Sequence, residues 1–367
     1  QAEKISQVRQ SLPGPTGETN DLFYEPKGVF VCISPWNFPV AIFIGQIAAA
    51  LITGNSVLAK PSEHTPLLGE IVADIFYDCG IPTDALQLFH GNGEVGQKLI
   101  SCAGINGVAF TGSLETAKKI HQQLSHKAGP IANLIAETGG LNAMIIDSSS
   151  LLEQVVDDIL RSAFNSAGQR CSALRIALIH ETIYEDLLNL LRDAMKELWV
   201  GNPEEFHCDV GPIIEDRAMT RLENYLQQFQ DRKFPVFSHN QAPNSGCFIA
   251  PTLIELSSLD EIDHEMFGPI LHTMPFQADN LDNMLSQLVQ KGYGLTMGMH
   301  SRIEGKVDDL LQKSITGNVY INRDIVGAVV GSQPFGGTGL SGTGFKAGGP
   351  NYFCLLYTSP SPRDRFL

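Results

Sequence analysis

The sequence predicts an α/β protein built on doubly wound parallel sheets, and three observations carry that expectation. Short, continuous apolar runs rich in Val, Ile and Leu alternate with longer segments of helical spacing. Runs apolar on both faces suit parallel strands covered by helices on both sides. The theme then starts again past residue 142, and 367 residues suffice for two or three domains with substantial cores.

Taken in order, residues 1 to about 24 are polar and turn-rich, with Leu12-Pro13-Gly14-Pro15, and read as an extended lead-in. Val29 to Ile33 reads as a buried strand, Val40 to Ile52 as a helix and Ser56 to Ala59 as a strand. A helix from Leu67 to Tyr77, a strand from Leu86 to Phe89 and a short helix from Val95 to Ile100 follow. Val108 to Phe110 is a short strand, Leu114 to Leu124 a helix and Ile131 to Ala136 a strand. The second series comprises a strand at Ala143 to Ile146, a helix at Leu151 to Phe164 and a strand at Leu174 to Ile179. An amphipathic helix closes it at Tyr184 to Leu198. There is no tandem repeat and no low-complexity linker.

Composition narrows the function classes. Hydrophobic residues make up 43% and charged residues 18%, an ordinary globular balance. The formal net charge of −15, with no basic cluster to offset it, argues against a nucleic-acid surface. Cysteines 32, 79, 102, 171, 208, 247 and 354 form no CxxC pair, which suits a reducing cytosol and offers no metal-site spacing. The longest apolar run, Val40 to Ile52, is too short to span a bilayer. No signal peptide is visible, and the chain starts at Gln1, which suggests a fragment or a processed product.

Several short motifs suggest chemistry, and each has a plainer reading. Gly91-Asn92-Gly93-Glu94-Val95-Gly96 fits a dinucleotide glycine pattern after a strand, but a pattern this short is weak. Phe110-Thr111-Gly112-Ser113 runs from strand into helix, where Ser113 would cap and free amides would hold a phosphate, or simply start a helix. Lys60-Pro61-Ser62-Glu63 follows a strand at the edge where α/β sheets bind ligands, yet also reads as a solvated loop. In Pro35-Trp36-Asn37-Phe38-Pro39 the carboxamide is a candidate oxyanion donor or a turn former. Glu137-Thr138-Gly139-Gly140 offers a general base or a surface turn. Cys171, in Gly168-Gln169-Arg170-Cys171-Ser172-Ala173, is a candidate thiolate nucleophile or a small buried hydrophobe.

In chain order these stretches, with Glu265-Met266-Phe267-Gly268-Pro269 and Pro334-Phe335-Gly336-Gly337, resemble the aldehyde dehydrogenase superfamily over roughly residues 12 to 353. Gly168 to Arg175, Asn318-Val319-Tyr320-Ile321-Asn322-Arg323 and Val326-Gly327-Ala328-Val329-Val330-Gly331 narrow the likeness. They are similar to the glutamate-semialdehyde (1-pyrroline-5-carboxylate) dehydrogenases, and closest to the dehydrogenase module of bifunctional bacterial proline-utilisation proteins.

The resemblance implies an aldehyde dehydrogenase-like fold: an NAD-binding domain at 1–138, a catalytic domain at 139–325 and a return segment with the substrate-anchor loop at 326–356. A small oligomerisation segment belongs to that fold. Residues 357–367 have no family counterpart and read as a non-native tail. The implied catalytic residues are Cys171 as nucleophile, Glu137 as the base that activates water, and Asn37 as oxyanion donor. NAD is the implied cofactor, held by Ser34, Pro35, Trp36, Lys60, Ser62, Glu63, Gly93, Gly112, Ser113, Glu265 and Phe267; the anionic Glu63 disfavours a 2′-phosphate. The glycine pattern at 91–96 is not the pyrophosphate fingerprint of this family. Phe38 and Phe335 would box the aliphatic chain of the substrate, with Ser172, Gly327 and Ala328 on its α-carboxylate and Arg170 adding positive potential. No metal is implied. The resemblance further implies a cytoplasmic homodimer in the intact protein and a proline dehydrogenase module upstream in the parent chain, with no nucleic-acid or membrane partner. A broad-specificity aldehyde oxidiser and a catalytically silent subunit of the same fold remain alternatives.

Overall fold

The computed structural model describes residues 10–129, 131–238, 242–329 and 331–358. Its described residues divide into two compact units, the first drawn from 1–138, 329–335 and 345–367, the second from 139–328 and 336–344.

The first unit is organised by a five-stranded, all-parallel sheet. Its spatial order is Leu86–Leu88, Ser56–Lys60, Val29–Ile33, Ile105–Thr111, Asn133–Glu137. The direction of winding therefore reverses between Val29–Ile33 and Ile105–Thr111, which is the doubly wound pattern. Strand side chains alternate between faces with period two. Phe30, Cys32, Val57, Ala59 and Ala109 pack against Phe43 and Ile47 of helix Ala41–Ile52 and Val72 of helix Pro66–Asp78. Val31, Val108 and Phe110 pack on the opposite side against Leu99 and Ile100 of helix Gly93–Ser101 and Ala117 and Ile120 of helix Leu114–His126. Both faces are covered, which is why these strands read as continuous apolar runs.

Chain from far downstream completes this unit. Tyr352 and Leu356 enter the first of those cores. Asn55 Nδ2 donates to the Leu356 carbonyl at 3.1 Å and Asn133 Nδ2 to the Leu355 carbonyl at 3.1 Å. Tyr357–Thr358 pairs antiparallel with Glu25–Pro26. The remainder of the stretch read as a non-native tail, residues 359–367, lies outside the described residues. The lead-in is more structured than its composition suggests: Gln10–Leu12 and Asn20–Leu22 form an antiparallel pair across the Pro13–Gly17 turn region, because extended polar segments satisfy their amides by pairing.

The second unit holds a seven-stranded sheet in the order Val236–Ser238, Thr252–Glu255, Ile270–Phe276, Leu174–His180, Asn142–Ile146, Thr296–His300, Asn318–Ile321. All neighbours are parallel except the first pair. One large core joins Met144, Ile145, Ile176 and Leu178 to Val155, Ile159 and Phe164 of helix Leu152–Phe164 and Leu187 and Leu191 of helix Tyr184–Glu197. Among the described residues, no helix is long and apolar enough to cross a membrane.

Candidate active site

A cavity of about 880 Å³ opens in the first unit at the C-terminal ends of Val29–Ile33 and Ile105–Thr111, at the reversal of winding. Ligands bind doubly wound sheets at that position because loops on either side diverge there. The cavity gathers Ser34, Pro35, Trp36, Lys60, Ser62, Glu63, Gly93, Gly112 and Ser113 in one lining. Lys60 ends its strand with its side chain only 4% exposed; its Nζ donates to the Pro61 carbonyl at 3.1 Å and lies 3.7 Å from Glu63 Oε2. Burial pushes the Lys60 ammonium below its ordinary pKa, and Glu63 opposes that shift.

Two helices begin at this rim. Ser113 Oγ accepts from the Thr116 amide at 3.2 Å and Asn92 Oδ1 from the Glu94 amide at 3.0 Å, so each helix is capped by the side chain its sequence offers. Capping leaves further first-turn amides available to an anion. Ser34 Oγ is buried and has no hydrogen-bond partner among the described residues, an orphan that a bound polar group would satisfy. The outer faces of the two helices also line the cavity, through Gln97, Thr116 and Lys119, and sequence reading did not single these out.

Asn37 and Phe38 sit in the loop after Ile33, where the Phe38 carbonyl accepts from the Ile42 amide at 3.3 Å. Glu137 is the last residue of its strand, and its carbonyl accepts from the Gly112 amide at 3.1 Å. Phe335 exchanges backbone bonds with Ala347 at 3.0 and 2.8 Å.

The second unit positions Cys171 by an unusual turn. Ser166, Ala167 and Gly168 have φ of 56°, 52° and 64°, three consecutive left-handed residues of which only the last is glycine. Such conformations cost roughly 1 kcal/mol or more for residues with a Cβ. At Gly168 a Cβ would lie 2.1 Å from the Gly268 carbonyl oxygen, so glycine is required twice over. Gln169 pins the turn from outside, donating to the Pro212 carbonyl at 3.0 Å and accepting from the Ile214 amide at 3.0 Å. Asn142 pins it from the sheet: Nδ2 donates to the carbonyls of Cys171 at 2.7 Å and Ala173 at 2.8 Å, and Oδ1 accepts from the Thr296 amide at 3.1 Å.

The Cys171 side chain is partly exposed and carries no disulfide. Burial pushes the neighbouring Arg170 guanidinium down, with Cys171 and Asp324 opposing; Arg170 Nε donates to Ser166 Oγ at 3.0 Å. Ser172 is buried, and its carbonyl accepts from Thr296 Oγ1 at 3.4 Å. Glu265 pairs with Arg175 at 2.9 Å, and Phe267 lies 5.6 Å below the same guanidinium. Gly327, with φ of 77°, and Ala328 occupy a loop with open space where a Gly327 Cβ would stand. Among the described residues, no group of three His, Cys, Asp or Glu is placed to hold a metal.

These geometries stand beside three comparisons. The family model for the aldehyde dehydrogenase family matches residues 1–360. The chain belongs to the aldehyde dehydrogenase family. It is 46% identical over 378 residues to bifunctional protein PutA of Klebsiella aerogenes, a match covering 98% of this chain and 29% of the relative. A 1-pyrroline-5-carboxylate dehydrogenase from a Geobacillus species is 36% identical over 376 residues, covering 100% of this chain and 72% of that one. The solved structure of a Thermus 1-pyrroline-5-carboxylate dehydrogenase with bound NAD superposes with a TM-score of 0.91 at 31% identity, covering 100% of this chain and 72% of that chain. The chain thus spans less than a third of the PutA relative's length.

Proposed function

We propose that the chain is an NAD-dependent dehydrogenase that oxidises L-glutamate γ-semialdehyde, the open form of 1-pyrroline-5-carboxylate, to L-glutamate in proline catabolism. The observation that carries the reading is the likeness, over 100% of this chain, to relatives named for that reaction, one of them solved with NAD. The first unit's chemistry fits the cofactor: a cavity of about 880 Å³, a capped helix start, the Lys60–Glu63 pair and the orphaned Ser34 hydroxyl. Residues 1–138 then serve as NAD-binding domain, 139–325 as catalytic domain and 326–356 as return segment.

The Cys171 thiolate attacks the aldehyde carbon, and the Asn37 carboxamide and the Cys171 amide receive the oxyanion. NAD, when bound, would supply the hydride acceptor. The acyl group is left on Cys171 as a thioester, and Glu137 takes the proton of the water that hydrolyses it. Ser34, Pro35, Trp36, Lys60, Ser62, Glu63, Gly93, Gly112 and Ser113 hold the dinucleotide, while Glu265 and Phe267 place its nicotinamide end. Phe38 and Phe335 enclose the aliphatic chain; Ser172, Gly327 and Ala328 bind the α-carboxylate, which needs donors once desolvated, and Arg170 adds positive potential. A cytoplasmic homodimer with a proline dehydrogenase module in the parent chain completes the reading; the bifunctional relatives, of which this chain covers 29%, support the second module.

The test is NADH formation from the semialdehyde by the wild-type chain and by Cys171→Ala, beside a plain aliphatic aldehyde. Turnover that disappears in Cys171→Ala and strongly prefers the semialdehyde is expected. Equal rates with both aldehydes would replace the reading with a broad oxidiser. NAD binding without turnover of either would replace it with a silent subunit.

A further inference from the structure

Arg175 has no role in the chemistry above, yet it is among the largest fully buried side chains of the molecule, at 1% exposure. A buried guanidinium is costly unless its donors are engaged. Here Nη1 donates to the Gly268 carbonyl at 3.0 Å, while Nη2 donates to the Arg170 carbonyl at 3.2 Å and to Glu265 Oε1 at 2.9 Å; Nε alone is buried without a partner among the described residues. The same cation sits over the Phe267 ring. One side chain therefore holds both the residue before the nucleophile and the Glu265–Gly268 segment. The hold is rigid from behind, since the Arg175 carbonyl accepts from His272 Nδ1 at 2.9 Å and His272 Nε2 accepts from Tyr225 at 3.0 Å.

Glu265 depends on this cation. Its carboxyl is pushed above the ordinary range by burial, against Arg175 and the Gly140 amide, which hold it down. A Cβ at Gly139 would lie 1.5 Å from Glu265 Oε2, so the carboxylate fills space that the glycine leaves open. No second cation is hydrogen-bonded to Glu265 among the described residues; the Tyr293 hydroxyl also faces it, its pKa pushed up by burial and by the Glu265 charge.

We propose that Arg175 is the positioning residue of this site: it keeps Glu265 anionic and aimed, and ties its segment to the nucleophile loop, so that NAD affinity rests on a residue that NAD does not touch. This rests on the reading of Glu265 as a group that receives NAD. Lysine is a poor substitute, because one ammonium cannot span three acceptors in the planar fork that Arg175 uses.

The experiment is NAD titration of the full chain by fluorescence across pH 6 to 9, with circular dichroism as a folding check. Wild-type affinity should vary little with pH. Arg175→Met should bind roughly tenfold or more weakly at low pH and regain affinity as pH rises, because Glu265 without its cation must lose its proton before it binds. Adding Glu265→Gln to that variant should abolish the pH dependence. If Arg175→Met does not fold, Arg175→Lys should show a smaller loss, with the carboxylate still ionised and no new pH dependence. Wild-type affinity and a flat profile in the folded variant would overturn the proposal. Failure of the wild type to bind NAD would instead sink the functional reading on which it stands.

Discussion

The two sheets place their candidate groups at opposite ends of their strands. In the first unit Ser34, Lys60 and Ser113 lie at or just beyond the C-terminal ends of strands, where the winding reverses. In the second, Cys171 precedes the strand Leu174–His180, and its supporting Asn142 and the Thr296 amide begin their own strands. The C-terminal edge of that sheet is closed instead by Asp147, Ser149, Ser301, Lys306 and Asn322, which bond one another. A doubly wound sheet makes a ligand crevice from topology alone. At the other edge no crevice comes free, and the second unit substitutes a strained turn and buried polar side chains.

That contrast sets out three further tests. The largest effect belongs to Gly168→Ala, which places a methyl group against the Gly268 carbonyl and forces a left-handed alanine. A loss of about 4 kcal/mol in chemical denaturation of the second unit is expected, from the conformational and overpacking costs together. A loss under about 1 kcal/mol would show that the turn is not under the constraint described.

Next is acid. The imidazole of His272 is buried, its pKa pushed down to about 4 from 6.5 by desolvation, against its hydrogen bond to the Arg175 carbonyl and with a smaller push in the same direction from the Arg175 charge. The unfolded chain therefore binds a proton there before the folded one does. Its contribution is full above pH 6.5 and is lost as pH falls toward 4, reaching about 3 kcal/mol. The described histidines of the first unit, His64, His90, His121 and His126, are all exposed. On acidification between pH 6.5 and 4 the second unit should lose its near-ultraviolet circular dichroism first, and His272→Gln should reduce the difference. Simultaneous loss in both units would break the comparison. The smallest effect is Ser113→Ala, which removes one exposed cap from the first unit and should cost about 1 kcal/mol in thermal unfolding while leaving the helix in place.

From residue 29 to 198, periodicity located every long helix and every sheet strand, with ends that differ by a few residues; helix Gly93–Ser101, read as starting at Val95, begins at its Asn92 cap. These segments are legible because each is apolar on the face it buries. Beyond residue 200 the sequence marks its elements less clearly. Helix Asp216–Asp231 buries only Leu222, Tyr225 and Phe229, and strand Thr296–His300 is Thr-Met-Gly-Met-His, without the β-branched run that marks a strand. In the site, local groups were visible, including Lys60 with Glu63 three residues on. Arg175 ends a stretch that carries the family likeness and Asn142 opens a strand, but neither role is legible locally, since Arg175 meets Glu265 90 residues away and Asn142 meets Thr296 154 residues away. The left-handed Ser166 and Ala167 carry no residue-type signal at all.

The amides of Asn55 and Asn133 have a consequence for how the polypeptide is made. Their acceptors, the carbonyls of Leu356 and Leu355, lie 301 and 222 positions further along. On a ribosome the five strands of the first sheet emerge long before those carbonyls exist, so the nascent sheet waits with two carboxamides unanswered and room for Tyr352 and Leu356 left open. Translation of the whole second unit intervenes. Of the two units, the one whose sheet is synthesised earlier is thus the later to be finished, and a chain released early would leave that unit unsealed.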